Sequence, residues 1–348
     1  MSGVPAGALR LAIDREALAA NWRALDVMSG GVPGAPRAGA AVKADGYGLG
    51  AAVVAPVLLE AGCARLFVAH CGEAAGLLDH VPAGAVAVLH GPRDPAEAAW
   101  LQAVGVRPVI NSALQARHWL EAGGGVCDLM VDTGMNRLGL PLGALGVAAG
   151  LEVDVLHTHL ACADEDSPLN EVQRLRWEDA RRAVTHRRAA IANSAGIALG
   201  APYRGDMTRP GLALYGGVPA AGLAGVVRQV VRPQAAILQV RTIAAGETVG
   251  YNATFVAPRQ MRVGTVALGY ADGYLRCWSG RGAMRAGEAR LPVLGRVSMD
   301  MTVIDLSGAE KLGEGDWVEV DYDLPAAAGE SGLSQYELLT LLGRRFAR

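Results

Sequence analysis

AVAVLHGPRDPAEAAWLQAVGVRPVINSALQARHWLEAGGGVCDLMVD, residues 85 to 132, contains three short apolar runs separated by two stretches of helical character. The runs are Ala85–His90, Arg107–Ile110 and Asp128–Asp132. Between them lie Pro95–Val104 and Ala113–Ala122. Strands that alternate with helices imply parallel pairing through crossovers. The same rhythm extends in both directions. Upstream are Ala40–Lys43, a helix at Ala51–Ala61 closed by Gly62, and Leu66–His70. Downstream are Asp154–Leu160, a helix at Glu171–Thr185, Ile191–Asn193 and a run near Leu212–Tyr215. Counted from Ala40 there are eight strands, the number that closes a (β/α)8 barrel. An open doubly wound sheet is the alternative, but no G-x-G-x-x-G follows an early strand. Ahead of these, Leu9–Ile13 reads as a strand and Asp14 as the cap of a helix carrying Leu18, Trp22 and Leu25.

The pattern changes after Val226. Ala235–Val240, Met261–Leu268, Leu291–Leu294, Thr302–Asp305 and Trp317–Val320 are strand-like and separated by glycine-rich turns, and Gln335–Arg345 reads as a closing helix. The expected fold is therefore α/β: a (β/α)8 barrel over residues 1–226, then a smaller all-β domain over 227–348.

The 348 residues are 51% apolar, enough for a large core. With 32 basic and 34 acidic residues the formal charge is −2, which recommends neither nucleic acid nor an anionic membrane as a partner. The N-terminal sequence has no basic segment followed by an apolar one, so a cytoplasmic protein is expected. The longest uncharged stretch, Pro210–Val227, contains two prolines and five glycines and reads as a strand end with a linker, not a membrane span. Five cysteines without a CxxC or a histidine at zinc spacing read as reduced thiols, and no metal site is expected.

Lys43 ends the first barrel strand, before Ala-Asp-Gly-Tyr47-Gly. Strand C-termini face the site of a barrel. A lysine among apolar and small residues is desolvated, which lowers its pKa and favours the nucleophilic amine. Asp132-Thr-Gly-Met-Asn-Arg137-Leu-Gly, His157-Thr-His159-Leu-Ala-Cys-Ala-Asp164 and Asn193-Ser194-Ala-Gly also follow strands. Thr208-Arg209-Pro-Gly211-Leu212-Ala-Leu-Tyr215-Gly stands where barrels cradle phosphates. In the second domain, Gly-Tyr251-Asn-Ala-Thr-Phe, Gly-Tyr270-Ala-Asp-Gly-Tyr-Leu-Arg276 and Gly-Arg296-Val-Ser-Met299-Asp300 set Tyr, Arg and Asp beside glycines. Taken singly, each of these has an ordinary structural reading: a core histidine, a surface ion pair or a turn.

Eight such segments in this order, from about residue 9 to the C-terminus, resemble the alanine racemase family, pyridoxal phosphate enzymes of fold type III. The resemblance implies a barrel followed by a β domain. It implies interconversion of L- and D-alanine by two bases, for peptidoglycan or for alanine catabolism. Racemases of serine or of broader specificity are the alternative within the fold. A barrel-type decarboxylase and a single-domain cofactor carrier fit less well, the first because of Arg209 and the second because of the β domain.

By the same resemblance, Lys43 holds pyridoxal 5'-phosphate as a Schiff base and is one base, and Tyr251 is the other. Ser194, Gly211, Leu212 and, near the C-terminus, Tyr336 bind the cofactor phosphate, and Tyr47 and Tyr215 stand near the phosphate or the pocket. Arg209 meets the pyridine nitrogen, with His159 behind it and behind Tyr251. Arg137 contacts the cofactor oxygen and the substrate carboxylate, Met299 and Asp300 line the substrate pocket, and Asp164, Tyr270, Arg276 and Arg296 line an entry channel. The family places Tyr251 in the partner's site, which implies a homodimer with shared sites. Some members carry a carbamylated lysine where this chain has Met130. The resemblance thus leaves Arg137 to Asn136 or a bound anion.

Overall fold

The computed structural model describes residues 7–348. It divides into two compact units, one of residues Arg15–Arg228 and one combining the segment up to Asp14 with Gln229–Arg348.

The first unit is built on a parallel sheet. Its strands run in spatial order Ala40–Ala41, Leu66–Val68, Val86–Val88, Arg107–Ile110, Val126–Asp132, Glu152–His157 and Arg188–Ala190. Leu66–Val68 and Val86–Val88 are wholly buried. Covered on both faces, such strands read as continuous apolar runs and not as alternating ones. Caps fix the intervening helices. The Asp94 side chain accepts from Glu97 N at 2.9 Å ahead of Pro95–Val104. Ser112 accepts from Gln115 N at 3.2 Å ahead of Ala113–Glu121. Each satisfies an amide that the first helical turn leaves without a partner.

The eighth strand is not the expected one. Met207 and Thr208 form parallel bridges to Ala190 and Ala38, and Ala41 N donates to Pro210 O at 2.9 Å, so this segment closes the barrel. Leu212–Tyr215, read as a strand from its apolar run, is a 3₁₀ turn. The segment that closes the ring, Met-Thr-Arg-Pro, has a polar and charged centre, and that hid it. The seventh strand likewise lies a few residues earlier than Ile191–Asn193.

The second unit is an antiparallel sheet in spatial order Leu9–Ile13, Val231–Ile243, Met261–Val266, Thr302–Asp305, Ala289–Leu294, Ala283–Ala286 and Trp317–Val320, with a further pairing of the last strand to Val231–Ile243. The expected domain of residues 1–226 needs correction at its start. Leu9–Ile13 pairs with Val231–Ala235 and belongs to the β unit. Its alternating burial, with Leu9 and Leu11 inward, suits one covered face of an antiparallel sheet. Short helices at Leu324–Ser331 and Gln335–Thr340 follow the last strand.

Candidate active site

Lys43 stands just past the end of its strand and is half-buried. Burial, then Arg137 and Arg209, lower its amine pKa, while Glu73 opposes them. The following residues are unusual: Ala44, Asp45, Gly46 and Tyr47 all have φ between 54° and 64°, a left-handed turn made mostly of non-glycine residues. Such conformations cost about 1–3 kcal/mol each and persist only where the surroundings hold them. Here Glu73 holds the turn. Its carboxylate accepts from Ala44 N and from Ala69 N, each at 2.7 Å, joining the turn to the end of the neighbouring strand. Asp45 accepts from Ala51 N at 2.8 Å.

The turn delivers Tyr47 against Tyr215, with ring centroids 4.8 Å apart. The Tyr215 hydroxyl donates to Ala41 O at 2.9 Å. Ser194 Oγ accepts from Gly211 N at 2.9 Å and Ala213 N at 3.2 Å, which leaves its own O–H to donate elsewhere. Leu212 is buried, and among the described residues its N–H meets no acceptor. A Cβ at Gly211 would collide with the Tyr47 hydroxyl, so glycine is what admits that hydroxyl here. Side-chain hydroxyls and an orphan amide make a setting for an anion.

Arg209 is 6% exposed. It donates to His157 Nδ1 at 3.1 Å, Thr158 O at 2.5 Å and His159 Nδ1 at 3.5 Å. Burial, then Arg209, push the His159 imidazole down to about 3, so it is neutral near pH 7. Burial lowers Arg209 to about 10, which leaves it charged. Arg137 is exposed after a tight turn in which Asp132 accepts from Gly134, Met135 and Asn136 amides. Asn136 spends its own geometry on that turn, with φ 56°, and among the described residues no side chain holds Arg137. Met130 is buried in the strand before it. Asp164 is exposed on a loop beyond Glu152–His157.

Thus ten expected residues, Lys43, Tyr47, Arg137, His159, Asp164, Ser194, Arg209, Gly211, Leu212 and Tyr215, lie in the barrel unit, on loops that follow its strands. The other seven lie in the β unit. There Tyr270 N donates to Ser298 O, and Ala271 N to Met299 O, both at 3.0 Å, so the loops carrying Tyr270 and Met299 pack together. The Arg276 guanidinium lies 5.3 Å from the Tyr270 ring centre. Asp300 accepts from Arg345 at 2.7 Å. Gly250, just before Tyr251, lies beside the Arg296 backbone. Tyr251 is 64% and Met299 53% exposed, and Tyr336 is exposed on Gln335–Thr340. Sequence reasoning missed Glu73, Asp128 and His157, which belong to no recognised segment or were passed over within one.

The alanine racemase N-terminal domain model matches residues 13–219, and the C-terminal domain model matches residues 230–348. The chain belongs to the alanine racemase family. An alanine racemase of Acidiphilium cryptum is 41% identical over 354 residues, 97% of each chain. A catabolic alanine racemase of Agrobacterium fabrum is 40% identical over 357 residues, 97% of this chain and 91% of its own. The crystal structure of alanine racemase from Bartonella henselae, with covalently bound pyridoxal phosphate, superposes with a TM-score of 0.88 at 32% identity, covering 99% of each chain. The family, and the barrel with its antiparallel β domain, are as the ordered segments led one to expect. Among the described residues no helix is long and apolar enough to cross a membrane.

Proposed function

We propose that this chain interconverts L- and D-alanine with pyridoxal 5'-phosphate bound at Lys43. The observation that carries the reading is a half-buried lysine of lowered pKa at a barrel strand end, within electrostatic reach of a buried arginine and in the same unit as an anion setting. An amine biased toward its neutral form is what carbonyl addition needs.

The residues fit the cofactor. Lys43 would bond it. Ser194, Gly211, Leu212, Tyr47 and Tyr215 would hold its phosphate, Tyr336 would add a contact, and Arg209 would face its ring nitrogen with His159 behind. When bound, the cofactor supplies an electron sink for the carbanion at the substrate Cα. Arg209 keeps its proton more firmly than a carboxylic acid and so does not protonate the ring, which favours return of the proton at Cα over side reactions.

The chain's own residues move the proton. Racemisation removes it from one face of a planar carbon and returns it to the other, so one base must stand on each face. Lys43 serves one face and Tyr251 the other. Arg137 binds the substrate carboxylate, and Met299 and Asp300 bound the space for a methyl side chain. Asp164, Tyr270, Arg276 and Arg296 line the approach. Tyr251 acts in the site of a second copy, which makes the enzyme a homodimer with two equivalent shared sites. The work is cytoplasmic, for wall synthesis or alanine catabolism.

The test is a panel of L-amino acids with purified, cofactor-loaded protein, following the appearance of each D-enantiomer. Alanine is expected to have the highest kcat/KM. A clear preference for serine or another amino acid would overturn the assignment of substrate while leaving racemisation intact.

A further inference from the structure

A line of polar and charged groups leads from Arg209 through His157 to Asp128 and on to partly exposed Arg107 and Arg188, and no step above uses it. His157 and Asp128 are both wholly buried. His157 Nε2 lies 3.2 Å from Asp128 Oδ2, and Asp128 Oδ1 accepts from Val155 N at 3.2 Å. Arg107 lies 3.8 Å from Asp128 and also pairs with Asp154, which further meets Arg188 at 2.8 Å and Arg65 at 3.4 Å. Removing such ions from water costs several kcal/mol each, and well-packed apolar residues are often as stable or more so. Stability alone does not account for the line.

Its end at Arg209 has a definite polarity. A guanidinium can only donate, so His157 Nδ1 must accept from Arg209. The imidazole proton then sits on Nε2 and is given to Asp128. Burial drives the imidazole down to about 4, with the Asp128 hydrogen bond pulling the other way, so the ring is neutral near pH 7 and able to accept. Of the five guanidinium N–H groups, one on Nη1 is taken by His157, and Nη2 gives to Thr158 O and His159 Nδ1. Nε and one Nη1 proton are left.

We propose that Asp128 and His157 are positioning residues for Arg209, fixing the plane and rotation of its guanidinium so that its two unshared N–H groups are presented to the cofactor ring. The proposal rests on the reading that Arg209 faces that ring. It is the arrangement by which a carboxylate orients a histidine that in turn orients a group at a site, where loss of an outer partner typically costs about 10–100-fold. Glutamine offers one acceptor and one donor and can replace the neutral imidazole, whereas leucine fills similar space and offers neither.

The test uses apoprotein, with the thermal midpoint of each variant recorded first. Wild-type apoprotein labelled with ¹⁵N-histidine is expected to show His157, identified by the signal missing from His157→Gln, as a neutral ring with its proton on Nε2 that does not titrate between pH 6 and 8. Pyridoxal phosphate added to apoprotein and followed by visible absorbance is expected to bind His157→Gln within about threefold of wild type, and His157→Leu about 10–100-fold more weakly at an unchanged midpoint. A folded His157→Leu that binds within about threefold overturns the proposal. So does a wild-type His157 protonated on Nδ1, or a folded His157→Gln as weak as expected of leucine, and these two measurements decide the matter if His157→Leu does not fold. Wild-type apoprotein that takes up no pyridoxal phosphate would instead overturn the functional reading itself.

Discussion

Lys43 and Tyr251, the two proposed bases, are held in opposite ways. Lys43 is half-buried, follows a barrel strand, and precedes a left-handed turn that Glu73 fastens to the next strand. Tyr251 is 64% exposed in a turn where Asn252 and Ala253 also have positive φ. Burial, Arg137 and Arg209 bias the lysine toward its neutral form within its own unit. A large aromatic left in water gains its environment only when another surface covers it. On the proposed roles, one half of the chemistry is complete within a barrel and the other half is offered to a second copy.

That contrast is open to direct test. The largest effect is expected from Lys43→Ala, which should lower kcat/KM by about 10⁴-fold or more, since one base and the cofactor attachment go together. Borohydride reduction of wild type followed by peptide mapping should label Lys43, and a label on another lysine would displace it from both roles. Tyr251→Phe should keep the bound cofactor, as judged by visible absorbance, and lose about 10²–10⁴-fold in racemisation. Hydrogen exchange at Cα should then survive from one enantiomer far better than from the other. Equal, small losses from both would remove Tyr251 from the reaction.

Smaller effects are expected from the supports. Glu73→Ala takes the acceptor from two backbone amides and should cost about 2 kcal/mol in denaturant unfolding, with a weaker grip on the cofactor. An unchanged stability would mean that the turn holds itself. The histidines predict a pH dependence. The folded values of His157, about 4, and His159, about 3, lie below the ordinary value near 6.5. The unfolded chain therefore binds the extra protons: stability is full above about pH 6.5 and declines as pH falls toward the folded values, by at most about 1.4 kcal/mol per pH unit for each histidine. Thermal midpoints measured from pH 7 to pH 4.5 should fall, and His157→Leu should flatten the slope. A slope that His157→Leu leaves unchanged would place the proton uptake elsewhere.

The fold was legible where one principle acted alone. Pro95–Val104 and Arg107–Ile110 stand as read, because capping, helical length and apolar runs agree there. Leu212–Tyr215 misled because an apolar run can line a wall without being a strand, and Met207–Thr208 close the ring mostly through backbone hydrogen bonds, to which side-chain pattern is blind. Leu9–Ile13 was recognisable as a strand, but its partner, Val231–Ala235, lies more than 200 residues away, and no local signal names such a partner. The residues proposed to carry chemistry stood out as ordered segments. Their supports did not. Glu73 sits in Cys-Gly-Glu-Ala with nothing to mark it. Asp128 and His157 did leave a signal that could have been used: a carboxylate and an imidazole within otherwise apolar barrel strands must be paired with something.

The central claim, that the two bases come from different chains, has a direct measurement. Lys43→Ala and Tyr251→Phe, each nearly inactive alone, are mixed, dissociated and allowed to reassociate. In a mixed dimer with shared sites, the barrel of the Tyr251→Phe chain retains Lys43 and receives Tyr251 from the other copy, so one of its two sites is whole. With random reassociation, about a quarter of wild-type activity should return. If Tyr251 serves its own chain, no site in any mixture is whole, and the absence of any recovery in dimers shown to have exchanged would contradict the account.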